Sequence, residues 1–334
     1  MLAFFSQYFL FFLETITIVA GILVVLITLF ALIAKQRRTH DDEELEINFL
    51  NEKYDNMHEA LQESMLPKDE FKKWLKTKKK QEKDKEKNPK PKRVYVVDFD
   101  GDVRASAVEE LREIVTAILT QATKDDEVLV KIDSGGGMVH TYGLAASQLE
   151  RLKAKNIPLT VSIDKVAASG GYLMACVANK IIAAPFAIVG SIGVIGQLPN
   201  FHKLLEKNNI DYEQHTAGEY KRTLTLFGKN TNAAREKFQE ELEETHTLFK
   251  QFVRDNRAIV DIEKVATGEH WYGTQALTLK LVDMISTSDD YLLNYANTAD
   301  IYELSYTMKK SLSEKISEAL FSCYHRTKLL FKTS

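Results

Sequence analysis

Between residues 94 and 196 the chain alternates short β-branched runs with segments of helical period, and glycines gather where the runs end. That alternation constrains the fold more than any other feature, because strands joined through helices at this spacing form parallel βαβ units. The run VYVVDFDG (94–101) and residues 128–132, 159–163 and 181–184 read as buried strands, and 105–122 and 139–152 as helices. In such sheets function gathers in the crevice beyond the carboxyl ends of the strands. Two glycine-rich stretches fall at strand ends, DSGGG (133–137) and VAASGGYLMACVA (166–178). After Asn200 the pattern is mostly helical, with a long helix expected over about 232–256.

Ser169 stands between small residues and the pair Gly170 and Gly171, directly before an apolar, helix-like run. Glycine permits a tight turn and close approach of a substrate carbonyl. The N–H groups of a first helical turn are free to hold negative charge. The same residues suit the N-cap of a buried helix, so the stretch fits a nucleophile or a cap. A nucleophilic serine needs a base. His140 is the nearest histidine in sequence, and Lys221 in TAGEYKRTLTLFG is the other candidate, with Arg222 beside it. A lysine works as a base only when neutral, which requires a fall from about 10.4 toward roughly 7–8 through burial or a nearby cation. Spacing alone leaves Lys221 readable as a surface lysine and His140 as a polar residue at a helix start.

The chain has 334 residues, enough for a sizeable core, and its net charge of −3 gives no reason to expect a nucleic-acid partner. Cys176 and Cys323 make neither a disulfide framework nor a metal site, and Cys176 reads as a small core residue. Glu269 and His270 have no second pair at metal-ligand spacing, so neither metal nor cofactor is expected. Residues 15–34 form an uncharged run of 20, long enough to cross a hydrocarbon core as a helix. No Lys or Arg precedes it, which favours an uncleaved anchor over a signal peptide. Lys35, Arg37 and Arg38 follow, a bias that leans the C-terminal side to the cytoplasm.

Residues 41–63 are acidic, with a helical pattern through Ile47, Leu50, Tyr54, Met57 and Leu61; residues 68–93 turn strongly basic. Pro89 and Pro91 mark a boundary. The expected organisation is an anchor (1–34), a charged stalk (35–93) that folds on itself through opposite charges, a catalytic domain (94–305) and an amphipathic tail (306–334). The basic half of the stalk suits anionic lipid heads.

The stretches DSGGGMVHTYG, VAASGGYLMA, GSIGVIG, GEYKRTLTLFG and GEHWYGTQALTLKLVD, in this order, resemble the SppA/SohB family of membrane-bound serine peptidases, and within it the SohB branch. The resemblance implies a layered α/β fold of the ClpP/crotonase kind and a Ser–Lys dyad acting on peptide bonds. It assigns Ser169 as nucleophile and Lys221 as base, with Gly136, Gly137 and Gly170 supplying backbone N–H groups to an oxyanion hole. Gly135 departs from the family's usual proline, which leaves the donors in place but the loop less preorganised.

The same resemblance implies a bacterial inner-membrane location, apolar peptide substrates such as signal-peptide remnants, and a homo-oligomer whose sites are shared between subunits. It suggests the periplasmic side, against the charge bias. Trp271 and Tyr272 are expected to line the substrate groove or to anchor two helices; Tyr172 and Met174 are expected in the core, and Ser191 in a turn. Two further readings stay open: a crotonase-like acyl-CoA enzyme with a basic, nucleotide-sized pocket, and a catalytically silent membrane scaffold.

Overall fold

The computed structural model describes residues 11–12, 15–19, 21–22, 43–87 and 92–308. Most of the expected anchor and the tail beyond residue 308 lie outside the described residues. Among the described residues no helix is long and apolar enough to cross a membrane. The chain divides into two units, one of Met1–Glu46 with Tyr306–Ser334 and one of Ile47–Ser305; the candidate site belongs to the second.

Strand β1 (Glu43–Phe49) is followed by helices α1 (Leu50–Met65) and α2 (Lys68–Lys87), strand β2 (Lys92–Gly101) and helix α3 (Val108–Gln121). Strand β3 (Glu127–Ser134), helix α4 (Val139–Ala154), strands β4 (Leu159–Ile163) and β5 (Val166–Ala168) and the short helix α5 (Gly170–Ala175) come next. Strands β6 (Lys180–Ala183) and β7 (Ile188–Gly190) lead to helices α6 (His202–Lys207), α7 (Asn232–Asn256) and α8 (Ile262–Val265). The chain returns through β8 (His270–Tyr272), α9 (Gly273–Thr278), β9 (Met284–Ile285), α10 (Ser288–Tyr295) and β10 (Ala299–Met308).

The main sheet runs β10-β2-β3-β4-β6-β9 with every neighbouring pair parallel. This is the mixed α/β fold with a parallel sheet that the alternation predicts. Val94, Val96, Val128, Val130 and Val161 are fully buried, as strands covered on both faces require. Helix α3 buries Val108, Leu111, Val115 and Ile118, one apolar stripe at helical spacing. A second, smaller layer branches off. Strand β3 pairs with β4 up to Lys131 and then with β5 at Ser134, and β5 continues to β7 and the antiparallel β8. The split points β5, and the serine turn that follows it, beyond the carboxyl end of β3.

Two regions differ from expectation. The stalk is more ordered than its charge suggests: residues 43–49 form a strand, and α1 begins with Leu50 and Asn51 buried. The Asn51 side chain donates to the carbonyls of Ala296 (2.8 Å) and Ala299 (3.0 Å) and accepts from the Ile301 N–H at 2.7 Å. One buried amide therefore ties the start of α1 to β10, a link that no periodicity signals. Asn51→Ala leaves these groups unpaired in the interior and is expected to cost about 2–3 kcal/mol, read as a lower denaturant midpoint at unchanged slope.

The second difference lies after Asn200, where six residues of α6 are the only regular structure before α7. From residue 193 to 252 no residue is buried, although Ile195, Phe201, Leu204, Tyr212, Leu226 and Phe227 are apolar and exposed. Asparagines hold this arm in place of helical bonds. Asn200 Nδ2 donates to the carbonyls of Thr225 and Gly228, and Asn230 Oδ1 accepts from the Thr225 N–H. Such side chains compete with the helical backbone, which is why the helical reading fails here.

Candidate active site

Ser169 occupies the turn from β5 to α5 with φ 51° and ψ −117°, a region that a residue with a Cβ enters only under strain. Its N–H donates to the Gly190 carbonyl at 2.8 Å, and its own carbonyl accepts from the Leu173 N–H at 2.9 Å. The glycines after it are required by close packing. A Cβ on Gly170 would come within 2.4 Å of the Tyr142 ring, and one on Gly171 within 2.6 Å of the Ser134 carbonyl. Trp271 packs on Gly190, where a Cβ would lie 2.8 Å from the indole, so this aromatic residue supports the serine turn. Trp271 and Tyr272 are absent from the lining of the cavity at Ser169, and Tyr272 meets Phe186 edge-on instead.

The loop after β3 lies against this turn. Gly136 has φ +86°, and a Cβ there would stand 2.6 Å from the Gly170 nitrogen and 2.7 Å from the Ser169 Cβ. A Cβ on Gly137 would lie 2.0 Å from the Val103 carbonyl oxygen. The N–H of Gly136 is already used: it donates to Ser134 Oγ at 3.1 Å. Ser134 Oγ also sits 2.5 Å from Tyr142 Oη, and the two hydroxyls face the carbonyls of Gly101 (3.0 Å) and Asp102 (2.7 Å). Burial pushes the Tyr142 phenol up, so it keeps its proton for this network. Among the described residues the N–H groups of Gly137 and Gly170 have no hydrogen-bond partner. A side chain at Gly135 would meet nothing within 4 Å, so the departure from proline introduces no clash.

Ser169, Gly137 and Gly170 open onto a cavity of about 180 Å³. Its other walls are mainly apolar, with Leu173 and Val194 on one side and Thr245, Leu248, Phe249 and Phe252 of α7 on the other. The four α7 residues recur at i, i+3, i+4 and i+7 and so share one helix face. Sequence reasoning located α7 but gave it no part in the site; the recurrence of Leu248, Phe249 and Phe252 on one face was the available signal. His246 Nε2 lies 3.2 Å from the Ile192 carbonyl, and Arg257, 5% exposed, forks onto Asp283 at 2.9 and 3.2 Å. These contacts fix the wall against the core.

Lys221 lies elsewhere. It is exposed on the arm, in a turn closed by its N–H on the Gly218 carbonyl at 3.2 Å, beside a depression lined by Leu198, Tyr212, His215 and Arg222. Within one chain Ser169 and Lys221 share neither a hydrogen bond nor a cavity among the described residues. His140 is exposed on α4 and does not line the cavity either. No lining side chain is basic. Tyr172 and Met174 are fully buried, with the Tyr172 hydroxyl donating to the Leu281 carbonyl at 3.0 Å. Cys176 is buried too, and burial pushes its thiol well up, which makes it a core residue. Ser191, expected in a turn, instead follows β7 in irregular chain at φ 51°, its N–H donating to the Glu269 carbonyl at 2.7 Å.

A strained, half-buried serine beside two unused backbone N–H groups and an apolar cavity is an arrangement for attack on a carbonyl. Residues 3–149 match the profile of the Peptidase family S49 N-terminal region, and residues 151–302 that of Peptidase family S49. The chain belongs to peptidase family S49. It is 49% identical over 340 residues to Probable protease SohB of Haemophilus influenzae, covering 96% of this chain and 95% of that relative. It is also 49% identical over 306 residues to Probable protease SohB of Buchnera aphidicola subsp. Schlechtendalia chinensis, covering 87% and 99%. A solved structure of a mutant 1510-N membrane-bound stomatin-specific protease with a substrate peptide aligns at TM-score 0.39 and 12% identity, covering 68% of this chain and 96% of that one.

Proposed function

We propose that this peptidase is a membrane-anchored serine endopeptidase of ClpP/crotonase-like fold whose nucleophile, Ser169, is served by Lys221 of a neighbouring copy. The observation that carries the reading is the position of Ser169 beside the free N–H groups of Gly137 and Gly170, with no base within the same chain's cavity. The arm that bears Lys221 has no fully buried residue in its own chain yet exposes several apolar side chains, as a segment seated on another subunit does. The branched sheet supports the ClpP/crotonase assignment, and the uncharged run at 15–34 supports the inner-membrane anchor.

In this mechanism Lys221 Nζ takes the proton from Ser169 Oγ as the oxygen attacks the scissile carbonyl carbon. The N–H groups of Gly137 and Gly170 hold the oxyanion, and Gly136 holds the loop through Ser134. Lys221 then passes its proton to the leaving amine, and water deprotonated by Lys221 releases the acyl group from Ser169. The residue before the scissile bond enters the cavity between Leu173 and α7, which selects apolar side chains. An acyl-CoA enzyme would need a larger pocket with cations for the nucleotide. The cavity of about 180 Å³ has none in its lining.

Labelling with a fluorophosphonate probe tests the reading. Wild type labels at Ser169 and Ser169→Ala does not; equal labelling of both would remove the assignment. A second expected result concerns the wall. Phe249→Trp fills the cavity and lowers kcat/KM for large apolar residues at that subsite about 10–100-fold, while small ones are spared. Equal losses for alanine and leucine substrates would place the subsite elsewhere.

A further inference from the structure

Helices α1 and α2 pack as a hairpin through ring and ion-pair contacts on one face of α2. Phe71 stacks on Trp74 (centroids 5.9 Å), His58 meets Trp74 edge-on (5.5 Å), and Lys78 pairs with Glu59 at 2.7 Å. Phe71, Trp74, Leu75 and Lys78 recur at i, i+3, i+4 and i+7 and are half-buried. The rest of the helix surface presents Lys72, Lys73, Lys76, Lys79 and Lys80, all exposed and none paired with a carboxylate among the described residues. The helix carries ten lysines against five acids. The excess is not absorbed by α1, and the exposed acids of α2 whose side chains are described, Asp69 and Glu70, both lie in its first turn, ahead of the lysines from Lys72 onward.

We infer that this lysine face of α2 is a docking surface for an anionic phospholipid bilayer. Lys72, Lys76, Lys79 and Lys80 follow i, i+4, i+7 and i+8, so their ammonium groups line one straight stripe of about 12 Å along the axis. A straight stripe of point charges fits a flat sheet of phosphates. The face has no aromatic side chain to stack on a base, since Trp74 meets His58 of α1 and Phe71 stacks on Trp74, which disfavours single-stranded nucleic acid. It has no apolar side chain to insert either, so the contact is electrostatic, at the level of the headgroups, and screened by salt. The chain's own uncharged run at 15–34 precedes the hairpin in sequence, which matches a bilayer as the occupant. The inference stands apart from the peptidase chemistry.

The test uses the full chain with vesicles of phosphatidylcholine alone or with added phosphatidylglycerol, and reads lysine acetylation rates by mass spectrometry. Acetylation of Lys72, Lys76, Lys79 and Lys80 is expected to slow about fivefold or more on the anionic vesicles only, and to recover in high salt. Lys264, 74% exposed and remote in sequence, serves as the unchanged control. In a chain carrying Lys72→Gln, Lys76→Gln, Lys79→Gln and Lys80→Gln, the anionic protection of Lys73 disappears. Equal rates on both vesicles overturn the inference. So does stronger protection by an RNA oligonucleotide than by anionic vesicles at the same ionic strength, which would make the face a nucleic-acid surface.

Discussion

Replacing Ser169 with alanine is expected to lower kcat for peptide hydrolysis by about 10⁴-fold or more with the fold unchanged. The fold persists because the turn is held by backbone and packing alone. The residue's N–H still reaches the Gly190 carbonyl, Leu173 still caps its carbonyl, and Gly170 and Gly171 still rest on Tyr142 and Ser134. Alanine also meets the same steric cost at φ 51° as serine. The loss is therefore chemical, and KM for a peptide should barely move, since the cavity walls are untouched. Thermal unfolding alongside kcat separates this from misfolding. A Ser169→Ala protein that melts like wild type and still cleaves at the wild-type rate would end the nucleophile assignment.

Lys221→Ala is expected to give a loss of similar size, and the more telling result comes from mixing. When Ser169→Ala and Lys221→Ala chains are unfolded together, refolded and assembled, a site formed between copies is complete wherever an intact serine meets an intact lysine. At equal proportions about one quarter of the sites recover. A lysine serving its own chain predicts no recovery, because each single chain then lacks one partner. The expectation follows from the exposed arm around Lys221 and the absence of a basic side chain in the lining of the cavity at Ser169. Inactive mixtures together with an active wild-type monomer would exclude the shared site.

What the sequence revealed follows the range of the forces involved. The parallel strands, the helix at 232–256 and the serine turn were legible because each rests on neighbours in sequence: apolar period, or glycine beside serine. The small layer of β5, β7 and β8 was less so, since three-residue strands are too short to show a period. Strand β10 was read as the end of a domain, because its pairing with β2 joins residues two hundred positions apart. Gly136 and Gly137 looked equivalent, and only the bond from Gly136 to Ser134 distinguishes the supporting N–H from the available one. Asn51 looked like one more polar residue of a charged stalk until its three partners on the far side of the chain came into view.

The crowding around the serine turn has an evolutionary consequence. At Gly136, Gly137, Gly170 and Gly171 even one added methyl collides with backbone or ring, so this half of the centre cannot be varied in small steps. The opposite half is built of Leu248, Phe249 and Phe252, which can be exchanged singly without moving the main chain. In the proposed site, reaction and taste are thus inherited separately, one frozen in the course of the chain and the other free to drift.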